Sequence, residues 1–171
     1  MKPLTKFYAG VRWGLATPTV ILVALALEDL VVVEEFYKEG ALLDATILEA
    51  QRLRDKYRIA KFFCDPSEPR FIEKFRRSYL RAVAVEDEEK AGIALIDEYL
   101  RHTKAHEPGG IIIKPECKNL GIEFQRYGTK PRDPQKEYKD RPERVFNFAV
   151  DALRFLVLGL SYEPEIKVRW I

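Results

Sequence analysis

At 171 residues, with 47% hydrophobic and 33% charged side chains, the chain can bury one core without disulfide staples, and a single domain over residues 1–171 is predicted. That composition is expected of a soluble globular protein rather than a disordered or membrane one, while a net charge of +2 neither implies nor excludes nucleic acid as a partner. The two cysteines, Cys64 and Cys117, lack zinc-type spacing and are expected as buried thiols in a reducing, cytoplasmic setting.

The elements are predicted as follows. Phe7 to Trp13 is a strand, Gly14 to Pro18 a turn, and Thr19 to Leu27 a strand whose unbroken apolarity implies cover on both faces. Glu28 and Asp29 turn the chain into a β-branched strand, Leu30 to Tyr37. Asp44 to Tyr57 has helical spacing, with Ile47, Leu48, Leu53 and Tyr57 near one face. Ile59 to Cys64 is a short strand ended by Asp65-Pro66, and Pro69 to Ser78 a helix with proline in its first turn. Leu80 to Val85 (strand), Glu88 to His102 (helix), Gly110 to Ile113 (strand) and Pro115 to Tyr127 (helix) follow. Gly128 to Arg144 has three prolines, many cations and no aliphatic residue, the pattern of an exposed loop. Val145 to Leu160 is an apolar helix, and Ile166 to Trp170 can add an edge strand. The longest apolar run, Val20 to Leu27, is too short to span a bilayer, and no signal-peptide pattern opens the chain.

Three strands joined by tight turns, then alternating helices and strands, predict an α/β fold: a mixed five-stranded sheet with helices on both faces. The ends of the first and fourth strands then lie side by side under the last helix, where carboxylates could converge on hard divalent cations. Asp65 is one candidate, the alternative being a cap on the turn at Pro66. Asp151 is the other, standing in an apolar helix where an unpaired carboxylate is costly; the alternative is an ion pair with Arg154, three residues on. His102 and His106 have no partner at ligand spacing and are assigned no chemistry. Lys130, Arg132, Lys136, Lys139 and Arg141 of the basic loop could meet phosphates, or be balanced by Asp133, Glu137, Asp140 and Glu143.

Ala9-Gly10-Val11-Arg12-Trp13-Gly14 with Thr17-Pro18-Thr19, Glu34-Glu35-Phe36-Tyr37 and Phe63-Cys64-Asp65-Pro66-Ser67-Glu68-Pro69 resemble, in order, the opening strands of the nuclease domain of phage terminase large subunits. Lys90-Ala91-Gly92-Ile93, Cys117-Lys118-Asn119-Leu120 with Glu123-Phe124 and Tyr127, and Asp151-Ala152-Leu153-Arg154-Phe155 continue the resemblance to the closing helix. The resemblance implies a ribonuclease H-like fold and Mg²⁺- or Mn²⁺-dependent cleavage of double-stranded DNA during packaging. Asp65 and Asp151 would be its catalytic and metal-binding residues. The terminase ATPase domain, the small terminase subunit and the portal would be partners.

Three positions depart from the family pattern. Arg12 stands where the family has its first catalytic aspartate, Thr17 where the next turn has an acid, and Asn147-Phe148 where the last helix has Asp-His. A fixed guanidinium about 5 Å from a divalent ion would repel it by several kcal/mol even at an effective dielectric near 20. Arg12 is therefore expected to pair with Asp65 or Asp151, impairing two-metal chemistry. Glu34 or Glu35 is a substitute ligand, although alternation puts only one on the useful face. The alternative function is a catalytically inactive DNA- or partner-binding domain of the same fold. No Gly-x-x-x-x-Gly-Lys-Ser/Thr loop occurs, so ATP hydrolysis by this chain is not expected.

Overall fold

The computed structural model describes residues 6–127 and 147–163. The basic segment from Gly128 to Arg144 and the expected edge strand Ile166 to Trp170 lie outside the described residues.

The strands are β1 (Lys6–Arg12), β2 (Thr19–Ala26), β3 (Leu30–Lys38), β4 (Phe62–Cys64), β5 (Ala82–Ala84) and β6 (Ile111–Ile113). The helices are α1 (Leu43–Tyr57), α2 (Pro69–Arg77), α3 (Glu89–Ala105), α4 (Lys118–Tyr127) and α5 (Phe148–Ser161). They build a mixed sheet in the order β5-β4-β1-β2-β3-β6. β1, β2 and β3 are antiparallel neighbours, while β4 runs parallel to β1, β5 to β4 and β6 to β3. The sheet has six strands rather than five, because three residues of β6 find a free edge on β3. β4 and β5 are shorter than predicted for a related reason: only three register pairs join each to its neighbour, and the flanking apolar residues are connections.

Alternation along the strands splits the core into two layers. Val11, Ile21, Val23, Phe62 and Cys64 face α1 and α2. Val20, Leu22, Ala24, Leu30 and Val32 face α3, α4 and α5. β2, covered on both sides, is buried from Thr19 to Ala24, as its unbroken apolarity predicts. α5 lies across β1, β2 and β4 and is buried nearly all round. Contact is close enough to require glycine, since a Cβ at Gly10 would overlap the Ala152 carbonyl oxygen and one at Gly159 the Phe63 ring.

One irregularity divides β3. Val23 pairs with Glu34 but Ala24 pairs with Val32, so Val33 is an extra, unpaired residue, a β-bulge. Among the described residues no helix is long and apolar enough to cross a membrane. Both cysteines are free and buried.

Candidate functional site

The site lies where β1 and β4 end beneath the first turn of α5. The last register pair between the strands is Val11 with Cys64, and the Asp65 amide extends the ladder by donating to the Val11 carbonyl at 2.9 Å. Arg12 and Asp65 are therefore side by side at the end of the pairing. Both fall on the α5 face by alternation, Arg12 two residues beyond Gly10 and Asp65 two beyond Phe63.

Arg12 is nearly enclosed, with its side chain 17% exposed. Its Nη1 donates to Thr17 Oγ1 at 2.9 Å and to the Pro18 carbonyl at 2.7 Å, tying the β1–β2 turn to the end of β1. The guanidinium carbon lies 4.4 Å from the Phe148 ring centroid, a cation–π contact. Nε faces Asp151 Oδ2 at 3.8 Å. Of the two partners expected for Arg12, the structure pairs it with Asp151. Asp65 instead accepts the Ser67 amide on Oδ1 at 2.8 Å, and its carbonyl accepts Trp13 Nε1 at 2.8 Å, so it caps its own turn.

Asp151 is flanked a second time. Arg154 Nη2 stands 3.6 Å from Asp151 Oδ1, the helical pair open from the sequence. Arg154 is only 8% exposed, pairs with Asp87, stacks on Phe155 at 4.7 Å, and fills the space left by Gly92, which a Cβ would occupy. Burial pushes the Asp151 carboxyl above its ordinary range, against the pull of Arg154 and Arg12, and the nearby Asp65 charge pushes the same way. The two aspartates thus sense each other across one end of the sheet.

Glu34 and Glu35 are committed elsewhere. Glu34 points towards α1, where it accepts Arg52, Lys56 and the Tyr57 hydroxyl. Although burial works against ionisation, these three donors hold its carboxyl at about 2. Glu35 points to the opposite face and accepts the Asn119 amide at 2.7 Å, Asn119 Nδ2 at 2.9 Å and the Leu120 amide at 3.0 Å. These are unsatisfied donors of the first turn of α4, a preferred place for a negative charge. Neither glutamate is left to serve as a substitute ligand.

One residue beside the site has no counterpart among the candidates drawn from the sequence. Glu123 of α4 is 4% exposed. Its Oε2 accepts the Ala149 and Val150 amides at 2.8 and 2.9 Å, and its Oε1 accepts the Tyr37 hydroxyl at 3.3 Å. Asn147 is the N-cap residue of α5 yet makes no side-chain capping bond, so a carboxylate from α4 caps α5 instead. Burial pushes the Glu123 carboxyl up to about 7; the bonds from Val150, Ala149 and Tyr37 oppose the shift and the Asp151 charge adds to it. Burial, with Glu123 beside it, also pushes the Tyr37 hydroxyl up to about 12. The available signal was the stripe Leu120, Glu123, Phe124, in which a carboxylate occupies an apolar helix face.

A pair of Mg²⁺ or Mn²⁺ ions requires a convergent set of oxygen donors. Here Asp65 and Asp151 share their end of the sheet with the Arg12 guanidinium. Among the described residues no group of three or more His, Cys, Asp or Glu side chains is placed to hold a metal ion. This donor set does not fit a two-metal centre. His102, with Glu98 and Glu107 within 4.0 Å, lies away from the site on α3.

Solved structures share this architecture. The large terminase of a thermophilic bacteriophage superimposes with a TM-score of 0.75 at 18% identity, over 95% of this chain and 41% of that one. The nuclease domain of the bacteriophage SPP1 large terminase, solved with bound Mn, superimposes with a TM-score of 0.62 at 20% identity, over 88% of this chain and 84% of the other. The fold is that of the large terminase nuclease domain. The large terminase nuclease domain of Thermus phage P74-26 agrees, with a TM-score of 0.65 at 15% identity over 99% of this chain and 86% of that one. The chain spans about two fifths of the thermophilic phage's large terminase, 41% of its length. No protein-family model matches the chain, and no curated relative does. In this terminase nuclease fold, the ribonuclease H-like sheet brings Asp65, Asp151 and Arg12 to one end.

Proposed function

We propose that this chain is a terminase nuclease-like domain that binds double-stranded DNA and does not cut it by the two-metal route. The observation that carries this reading is the Arg12 guanidinium, bonded to Thr17 and Pro18, stacked on Phe148 and facing Asp151. A fixed positive charge there opposes the binding of divalent cations, whose attraction to a two-carboxylate pair is already weak. DNA affinity would come from Lys130, Arg132, Lys136, Lys139 and Arg141, which meet phosphates without reading sequence. On this reading the partners are DNA and the rest of a packaging terminase: its ATPase domain, small subunit and portal.

A second reading is metal-dependent cleavage. It is favoured by the bound Mn of the SPP1 nuclease domain, and it would use Asp65 and Asp151 as ligands for Mg²⁺ or Mn²⁺.

Incubation with supercoiled plasmid and Mn²⁺ or Mg²⁺ separates the two. The proposal expects no nicking, and DNA retention that weakens steeply with salt. Arg12→Asp, which restores a third carboxylate, should then produce Mn²⁺ binding measurable by calorimetry. Nicking by the unmodified chain that disappears in Asp65→Ala would overturn the proposal.

A further inference from the structure

The opposite end of the sheet carries a second feature that the site does not use. α1 and α2 both end there, at the N-terminal ends of the parallel strands β4 and β5. Arg58 and Tyr79 follow those helices with φ of +53° and +61°. The left-handed region is the usual place for glycine after a helix and disfavours a residue that carries a Cβ. Tyr79 gains no packing in return, since it is 87% exposed, the most exposed large apolar side chain among the described residues.

The turn that presents it is tied from behind. Arg54 Nη1 donates to the Tyr79 carbonyl at 3.2 Å, Gln51 Nε2 to the Ser78 carbonyl at 3.2 Å, and the Leu80 amide to the Phe75 carbonyl at 3.1 Å. Cations are dense here: Arg76, Arg77 and Arg81 lie within three residues of Tyr79, Arg76 Nε donating to the Ala82 carbonyl at 3.0 Å, and Arg54, which holds the Tyr79 carbonyl, lines a hollow of about 480 Å³ with Asp55, Arg58 and Ile59. The acidic groups of this corner are Asp55 and Glu73, paired with Arg54 and Arg77. Among the described residues Arg58 and Arg81, both exposed, form no ion pair.

An exposed aromatic ring on a turn whose backbone is tied down, in a segment rich in arginine, matches the chemistry of an unpaired nucleotide: stacking for the base, guanidinium groups for the phosphates. A duplex keeps its bases stacked inside and offers no such face. We propose that the corner formed by the C-terminal ends of α1 and α2 binds single-stranded nucleic acid, with a base on Tyr79 and the backbone along Arg58, Arg76, Arg77 and Arg81. The surface lies at the opposite end of the sheet from the Arg12 site.

The test measures fluorescence anisotropy of labelled oligothymidylate, oligouridylate and a duplex over a range of salt. Tyr79→Gly removes the ring and relieves the backbone, so the variant should fold at least as stably as the unmodified chain. It should bind single strands roughly five- to a hundredfold more weakly, the loss of one stacked base, with duplex binding unchanged. Arg81→Glu should lower the salt slope for single strands by about one. Equal affinity of Tyr79→Gly and the unmodified chain for single strands would overturn the proposal, as would no single-strand binding at all. Competition by polyglutamate that is indifferent to Tyr79 would do the same, assigning the corner to acidic protein. Neutralising the lysines and arginines of 130–141 tests duplex binding separately.

Discussion

Replacing Glu123 by glutamine probes how a buried carboxylate caps α5. In the folded chain burial raises this carboxyl from the ordinary 4.5 to about 7. The folded state therefore holds a proton that the unfolded chain has released between these pH values, and stability falls as pH rises through that window. A displacement of this size corresponds to about 3 kcal/mol, lost in full above pH 7. Both helix amides bond the same oxygen, Oε2, so glutamine can retain the cap through its single carbonyl oxygen. Expected, then, is a Glu123→Gln variant equal to the unmodified chain near pH 4 and more stable near pH 8 by about 1–3 kcal/mol. Urea unfolding at several pH values measures both curves. Asp151, also shifted upwards, adds a slope of the same sign to each, and only its coupling to Glu123 enters the difference. Parallel curves for the two proteins would refute the argument, because the slope would then not belong to Glu123.

Gly10→Ala should destabilise by roughly 1–3 kcal/mol, read as a lower urea midpoint, because its Cβ meets the Ala152 carbonyl and the Leu156 side chain and α5 must lift from β1. Burial pushes the Cys117 thiol up to about 12 and the Cys64 thiol further still. Neither should alkylate with iodoacetamide at pH 8 until denaturant is added.

The legible parts of the fold were those whose signal is local. β2 declared its double burial by an unbroken apolar run, α1 by spacing, and Asp65 by its place between a buried strand and Pro66. What could not be read depends on pairing between distant segments. The length of β4 is set by its three pairs with β1, and the strand expected at Gly110 to Ile113 joins the sheet as its sixth member only because β3 offers it an edge. The site was legible as residue types and not as partnerships. Arg12 and Asp151 were both identified, but whether the guanidinium would choose Asp65 or Asp151 depends on the Asp65 carboxylate turning back to the Ser67 amide. Glu123 was part of a matching stretch but carried no assigned role, because a glutamate in a helix is ordinarily solvated, and only the docking of α4 against α5 makes it a cap.

The bulge at Val33 absorbs one residue, so that Val32 and Glu35, an odd number of positions apart, share one face of the sheet. Below it, Leu30 and Val32 face the α5 layer; above it, Glu35 reaches α4 on that same side and Glu34 reaches α1 on the other. Deleting this one valine would leave an unbroken two-residue alternation, with Glu34 still opposite Val23 and Val32 still opposite Ala24. What the deletion removes is the local bend and added twist of the bulge, not the address of either glutamate.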